Sequence, residues 1–391
     1  MILLGLFAAI ACAPVYWLLV PVRWRREALV VASIVALGAY DRRLVALLAV
    51  VVLALYGLLR AIAARPSGRG GWLAGLGLVL LGGLLWSNKL SGTALSVLPS
   101  QGGLAFLGVS YLVLKAAAIL IETARGTVRA FTFREVLLWL VFLPTYPSGP
   151  MAEFDHFRRQ QPAPDLRSAL GGLERILFGL VKTLIVAHYL GVWGAPLLAG
   201  PEQYSRLALL GGAYAAALRF YFDFAGYSDM AIGLAALYGY DIEENFDGPL
   251  WRRNLVQLWQ RWHITLTRFL RLYLFVPISR RLMRPRGPLP DRVAVAIGQI
   301  AAMSFCGLWH GLSWNFVLWG FAEALGIIWV GSFARDAGRR LPTALVAWWR
   351  RSVAAYACSA ALTFTFFSVT AVFAMTDAAS ALRYLRVLLS P

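Results

Sequence analysis

The sequence has 391 residues, 60% of them hydrophobic and only 14% charged, with a mean hydropathy of +0.66. Soluble domains carry roughly a quarter charged residues, so a soluble domain is excluded and a polytopic membrane protein is expected. The net charge of +18 would suggest nucleic acid in a soluble chain. Here the basic residues fall in short runs between apolar segments, as positive-inside topology and contact with anionic membrane lipids require, and no nucleic-acid partner is expected. A secondary reading of the same runs is attraction for an anionic substrate or an acidic carrier protein at the cytoplasmic face.

The first 22 residues carry no charge and are long enough to cross a hydrocarbon core of about 30 Å. No basic stretch precedes them, so they read as a retained span and not as a cleaved signal peptide. Further apolar segments run at 28–40, 44–63, 72–87, 103–121, 135–147, 170–194, 206–222, 228–240, 293–310, 313–333 and 353–375. Several fall short of the roughly 20 residues a full span needs, so tilted or re-entrant helices are expected among them. The sum is an all-α protein of about ten to twelve membrane-embedded helices, read as a single domain over 1–391. The basic runs at 23–26, 65–70 and 125–129 fall inside if the N-terminus is outside, which also puts 87–101 outside; only the short run at 41–43 opposes this.

Residues 241–292 are more polar than any span yet rich in Trp, Leu and Phe. Leu255, Trp259, Trp262, Leu266 and Leu270 recur at helical spacing, which predicts one amphipathic helix with a wide apolar stripe. Cys12, Cys306 and Cys358 lie at unrelated spacings in apolar segments, so they read as small buried hydrophobes without a disulfide framework or a metal site.

Four histidines are the candidates for chemistry. His156, in FDHFRRQ, reads as a solvated or headgroup-facing residue, and His188 as a satisfied buried one. His263 sits in QRWHITL and His310 in GLWHGLSW. Gln299, Met303, Cys306 and His310 share one helical face by their spacing, and Gly307 and Gly311 leave room for a backbone or a substrate beside the ring. An ionisable residue at membrane depth is a functional candidate because its burial is costly; the structural alternative is a hydrogen bond that locks helices together. No G-x-S-x-G, HExxH, P-loop or dinucleotide fingerprint is present. What remains is histidine as a general base, whose ordinary pKa near 6.5 suits proton uptake at neutral pH.

Three stretches carry a family resemblance: YFDFAGYSDMAIGLAALYGYDIEENFDGPL (221–250), LWQRWHITLTRFLRLYLFVPI (258–278) and GLWHGLSWNFVLWG (307–320). In order and spacing they resemble the membrane-bound O-acyltransferase family, in its bacterial branch of alginate O-acetylases and lipoteichoic acid D-alanyl transferases. FLPTYPSGPMAEFDHFRRQ (142–160) is similar to that branch's upstream motif, and the resemblance covers about residues 100–330. It implies a ring of tilted and re-entrant helices around a central tunnel, with His310 as the catalytic histidine and His263 as its companion. Trp309, Trp262, Gln299 and Cys306 are then expected to line the substrate path, and Asn315 to contact the acyl carbonyl. Two departures bear on the acceptor: RLY stands at 271–273 where RDY is common, and SRR at 279–281 replaces a Gly-Gly.

The resemblance implies no bound cofactor and an acyl thioester co-substrate, acetyl-CoA or an acyl-carrier protein. The acceptor is a hydroxyl of an extracytoplasmic polysaccharide or glycan, at the bacterial inner membrane. Three readings stay open. Acetyl transfer to a polysaccharide would go with an SGNH-type acyltransferase partner. D-alanyl or longer-chain transfer to teichoic acid or a lipid acceptor would go with an acidic carrier protein. A transporter or flippase would use the two histidines as a proton or substrate path.

Overall fold

The computed structural model describes residues 2–65, 69–90, 103–285 and 287–390, and among them the chain is all-α with no strand. The loop expected outside at 87–101 falls mostly beyond the described residues. Six described helices are long and apolar enough to cross a membrane: Arg42–Ala63, Gly71–Lys89, Leu166–Ala199, Asp291–His310, Trp314–Phe333 and Val353–Met375. The protein is a multi-pass membrane protein. By its internal contacts the chain forms two compact units, Met1–Leu180 with Gly226–Glu244, and Val181–Ala225 with Asn245–Pro391.

The first unit holds α1 (Ile2–Leu19), α2 (Arg25–Tyr40), α3 (Arg42–Ala63), α4 (Gly71–Lys89), α5 (Gly103–Arg125), α6 (Phe133–Val141), α7 (Phe154–Arg159) and α8 (Leu166–Leu180). In α3 the residues Leu44, Leu48, Val52, Leu55, Leu59 and Ile62 recur every three or four positions and are the ones buried, so one stripe packs inward and the rest is left for lipid. Thr132 and Glu135 cap α6 reciprocally, each side chain meeting the other's backbone N–H. Beyond α6 the chain leaves the helix at Phe142 and makes one 3-10 turn over Leu143–Thr145, and Gly149 takes φ +106° beside Ala231, a conformation that glycine alone adopts without strain. This non-helical stretch is tied down by buried partners. The Trp139 indole donates to the Ala152 carbonyl at 2.9 Å, and Lys115 Nζ donates to the Trp139 carbonyl at 2.9 Å.

The FDHFRRQ segment is α7 and its exit. Gln160 exchanges two 2.7 Å hydrogen bonds with the backbone of Asp241, and Nε2 of His156 lies 3.1 Å from the Asp241 carbonyl. Arg26 donates to the carbonyls of Arg158 and Gln160, closing the orphan end of this short helix.

The second unit follows a π-helical stretch (Val181–Ala187) with α9 (His188–Ala199), α10 (Arg206–Leu237), α11 (Leu255–Trp259), α12 (Ile264–Leu270), α13 (Val276–Leu282), α14 (Asp291–His310), α15 (Trp314–Arg340), α16 (Thr343–Arg351), α17 (Val353–Met375) and α18 (Ala378–Leu389). Two sequence expectations are corrected here. The apolar runs 206–222 and 228–240 form one helix, α10, whose last turns belong to the first unit. The polar residues between them sit within a continuous helix, so the dip in hydropathy does not mark a loop. The single amphipathic helix expected over 255–270 is instead two short helices, α11 and α12, broken at 260–263. The stripe itself holds, since Leu255, Trp259, Trp262, Leu266 and Leu270 are all buried.

The hairpin of α14 and α15 is built on two glycines. A Cβ on Gly307 would run into the carbonyl oxygen of Phe316, and one on Gly320 into that of Met303. Only residues without side chains let the two backbones meet at this crossing.

Candidate functional site

His310 is the last residue of α14, one turn beyond Gly307. The close crossing brings the start of α15 against it. The Phe316 ring stacks near the imidazole with centroids 6.0 Å apart, and the Trp319 indole meets it edge-on at 5.4 Å. A Cβ on Gly311 would strike the Phe316 ring. The room that Gly307 and Gly311 leave is therefore filled by α15 itself, and not by open space for a substrate.

His263 arrives by a different route. It is the N-cap of α12 and the sole non-glycine residue with positive φ among the described residues, at φ 43° and ψ 54°. The left-handed region costs an L-residue about 1–2 kcal/mol, so the surroundings must enforce it. They do so through Asn245, which is fully buried (0% exposed) beneath the turn. Its carbonyl accepts from Ile264 N–H at 2.9 Å, and its side-chain Oδ1 lies 3.0 Å from both His263 Nδ1 and Thr265 Oγ1. The His263 ring is itself 2% exposed and packs edge-on against Phe224 at 4.7 Å.

Trp309 lies between the two histidines. Its indole is 4.8 Å from the His310 ring and 6.4 Å from the His263 ring, centroid to centroid. Two imidazoles 47 positions apart in the chain thus share one buried aromatic neighbour, in surroundings of Phe224, Phe316 and Trp319. Of the two rings His263 is buried and His310 half-buried, and both can accept and release protons.

The other expected site residues divide. Trp262 packs among Phe220, Phe246 and Phe367, with centroids 5.6, 5.2 and 4.8 Å away, and braces the turn before His263. Cys306 is buried one turn before His310, and Gln299 is half-buried three turns before it on the same helix. Asn315 is buried, and its Nδ2 donates to the carbonyls of Phe373 and Thr376, both at 3.0 Å. Those two bonds use both amide hydrogens, so Asn315 ties α15 to the end of α17. His156 lies in the first unit and His188 at the start of α9.

Three contributors escaped the sequence reading. Asn245 and Thr265 flank His263 in space, and Glu323 lies fully buried on α15. Glu323 accepts from the Trp259 indole at 2.9 Å and from Thr370 at 2.6 Å, linking α11, α15 and α17. Asn245, one of several polar residues in DIEENFDGPL, carries no local sign of its contact with a turn 18 positions on. Glu323 was legible as a lone carboxylate within an apolar helix, which must find donors when buried.

This paired-histidine group on an all-α membrane scaffold defines the class, and the chain belongs to the membrane-bound O-acyltransferase (MBOAT) family. The family model matches residues 109–376, more than half of the sequence. Among curated proteins, a teichoic acid D-alanyltransferase of Streptococcus thermophilus is 31% identical over 238 residues, 59% of this chain and 57% of that one. A probable alginate O-acetylase of Azotobacter vinelandii is 32% identical over 222 residues, 55% of this chain and 42% of that one. A probable alginate O-acetylase of Pseudomonas putida is 29% identical over 275 residues, 66% of this chain and 54% of that one. The matched region spans about half the length of these relatives.

Proposed function

We propose that the protein is a membrane O-acyltransferase that moves an acyl group, acetyl in our reading, from a cytoplasmic thioester to a hydroxyl of an extracytoplasmic glycan. The observation that carries this is the pairing of His263 and His310 about Trp309. In the reaction the acceptor oxygen bonds to the thioester carbonyl carbon, the carbon–sulfur bond breaks, and the hydroxyl proton ends on the departing thiol. His310 takes that proton as the oxygen attacks and returns it to sulfur. The His310 ring is half-buried, and Trp309, Phe316 and Trp319 around it restrict the water that competes for the carbonyl. The donor is acetyl-CoA or an acyl-carrier protein, drawn to the basic loops that an N-terminus outside the inner membrane would place in the cytoplasm. Alginate-type polysaccharide is the acceptor class favoured by the acetylase relatives.

D-alanyl transfer to teichoic acid is the second reading, favoured by the Streptococcus thermophilus relative. Incubation of the purified protein with acetyl and D-alanyl thioesters and candidate glycans, read by mass spectrometry of the product, separates the two. A transporter would move its substrate with no thioester present.

The His310 assignment is tested by His310→Ala and His310→Gln in detergent, with thermal stability and acyl transfer both measured. Loss of a general base costs roughly 10²–10⁴ in rate. A stable Gln variant with transfer reduced by that much is the expected result; near-normal transfer by it makes His310 a structural residue only.

A further inference from the structure

Asn245 touches three consecutive residues of the strained turn. Its main-chain oxygen receives the Ile264 N–H, and its side-chain oxygen faces both the His263 ring and the Thr265 hydroxyl. An amide oxygen has lone pairs and no proton. With that oxygen 3.0 Å from Nδ1 of His263, the contact is a hydrogen bond when Nδ1 carries the ring hydrogen. In the neutral ring the lone pair then resides on Nε2, across the ring from Asn245.

The geometry points to Asn245 as a positioning residue that fixes His263 in the Nδ1–H tautomer and so makes Nε2 a hydrogen-bond acceptor for a hydroxyl of the acyl acceptor. The inference rests on the acyltransfer reading above and decides between two roles for His263. A ring that presents a lone pair cannot donate a hydrogen bond to the oxyanion of the thioester carbon. It can receive one from a sugar hydroxyl and hold that sugar in line for attack. His263 thus works on the glycan side of the reaction, while His310 handles the proton that is transferred. The backbone contact sets where the ring is, and the side-chain contact sets which nitrogen it offers. Both come from one residue, 18 positions upstream of the histidine.

The test is the nitrogen spectrum of the imidazole in detergent-solubilised protein labelled with ¹⁵N-histidine, the His263 signal being assigned by its loss in His263→Gln. The expected wild-type spectrum shows a protonated Nδ1 and an unprotonated Nε2. Asn245→Ala should populate the other tautomer and lower kcat roughly 10–10²-fold, the scale of a misplaced reacting group, with less change in donor KM. Asn245→Asp should keep Nδ1–H and shift the acid limb of kcat/KM to higher pH, because a carboxylate beside the ring favours its protonated form. Thr265→Ala, which leaves the amide oxygen in place, should keep the wild-type tautomer. A wild-type ring protonated at Nε2 overturns the inference, and so does an Asn245→Ala ring with the wild-type tautomer, even if that variant is unstable or inactive. If the wild-type protein transfers no acyl group, the proposed function fails, yet the ring spectrum still decides the tautomer.

Discussion

The two histidine segments reach the same aromatic neighbour by opposite means. His310 comes at the end of a regular 20-residue helix, and glycines at a helix crossing bring its surroundings to it. His263 comes at a break between helices of five and seven residues, in a left-handed conformation held by Asn245. The first is precise because two backbones touch and cannot approach further. The second is precise because one buried amide leaves the turn no alternative partner. Close packing places a side chain through its neighbours, whereas a strained turn places it through its own backbone, and each fails in its own way.

That contrast makes predictions of decreasing size. Gly320→Val puts side-chain atoms into the Met303 carbonyl at the helix crossing. Over-packing costs about 1–3 kcal/mol where side chains can yield and more where they cannot; here the obstacle is backbone. Loss of monodisperse protein on size exclusion is expected, together with loss of transfer. A Gly320→Val protein with the wild-type melting temperature would show that the crossing is not held this tightly.

Glu323→Leu should come next. It strands the Trp259 indole N–H in the core, at about 1–3 kcal/mol for a buried group left unpaired, and turns the Thr370 hydroxyl back on the carbonyls of its own helix. Glu323→Gln, which keeps the shape and an acceptor oxygen, should melt closer to wild type. Equal melting of the Leu and Gln variants would count against the link between α11, α15 and α17.

At His263 itself the backbone can be separated from the ring. His263→Gly and His263→Ala both remove the imidazole, but glycine accepts φ 43° without strain. The glycine variant should be more stable than the alanine variant by about 1 kcal/mol, with both equally inactive. The reverse order would mean that the turn is not strained. No such inversion is expected at position 310, where the backbone is helical and alanine should be the more stable of the pair.

The smallest effect lies far from both segments, at the cap of α18. Asp377 accepts from the Ser380 hydroxyl and backbone N–H, and these bonds hold its carboxyl below the ordinary carboxylate pKa. A depressed folded-state pKa stabilises the protein above the unfolded value and is lost as pH falls through the folded one. Asp377→Ala should therefore lower the melting temperature slightly at neutral pH and not at all at strongly acid pH. A drop independent of pH would assign the effect to helix propensity instead of the cap.

Much of this was legible before any coordinates. The periodic burial of α3, the apolar length of α14, α15 and α17, and the alternation of Trp and Leu through 255–270 all follow from the pattern of side chains. The break at 260–263 was not legible, because both halves of the stripe are buried and a buried stripe looks continuous whether or not the helix is. What breaks it is Asn245, and a contact across 18 positions leaves no trace in local periodicity. The fusion of two apolar runs into α10 was hidden for the converse reason. Arg219, Asp223 and Asp229 lower the local hydropathy without interrupting the helix. Asn315 illustrates a third limit. Its amide looked available for a substrate carbonyl until the end of α17 was seen to take both hydrogens.

The bonds that run back from the last two helices also say where the chain can be cut. Thr370 and the carbonyls of Phe373 and Thr376 satisfy Glu323 and Asn315 on α15, while Tyr384 and Arg383 donate to the carbonyls of Leu209 and Ala199. A truncation after α15 would therefore not yield a shorter protein with the histidine motifs intact. It would open polar groups on the hairpin that carries His310 and near the entry to α10. For shortening this protein, or splicing it to another, residues 353–389 belong with the second unit and must travel with it.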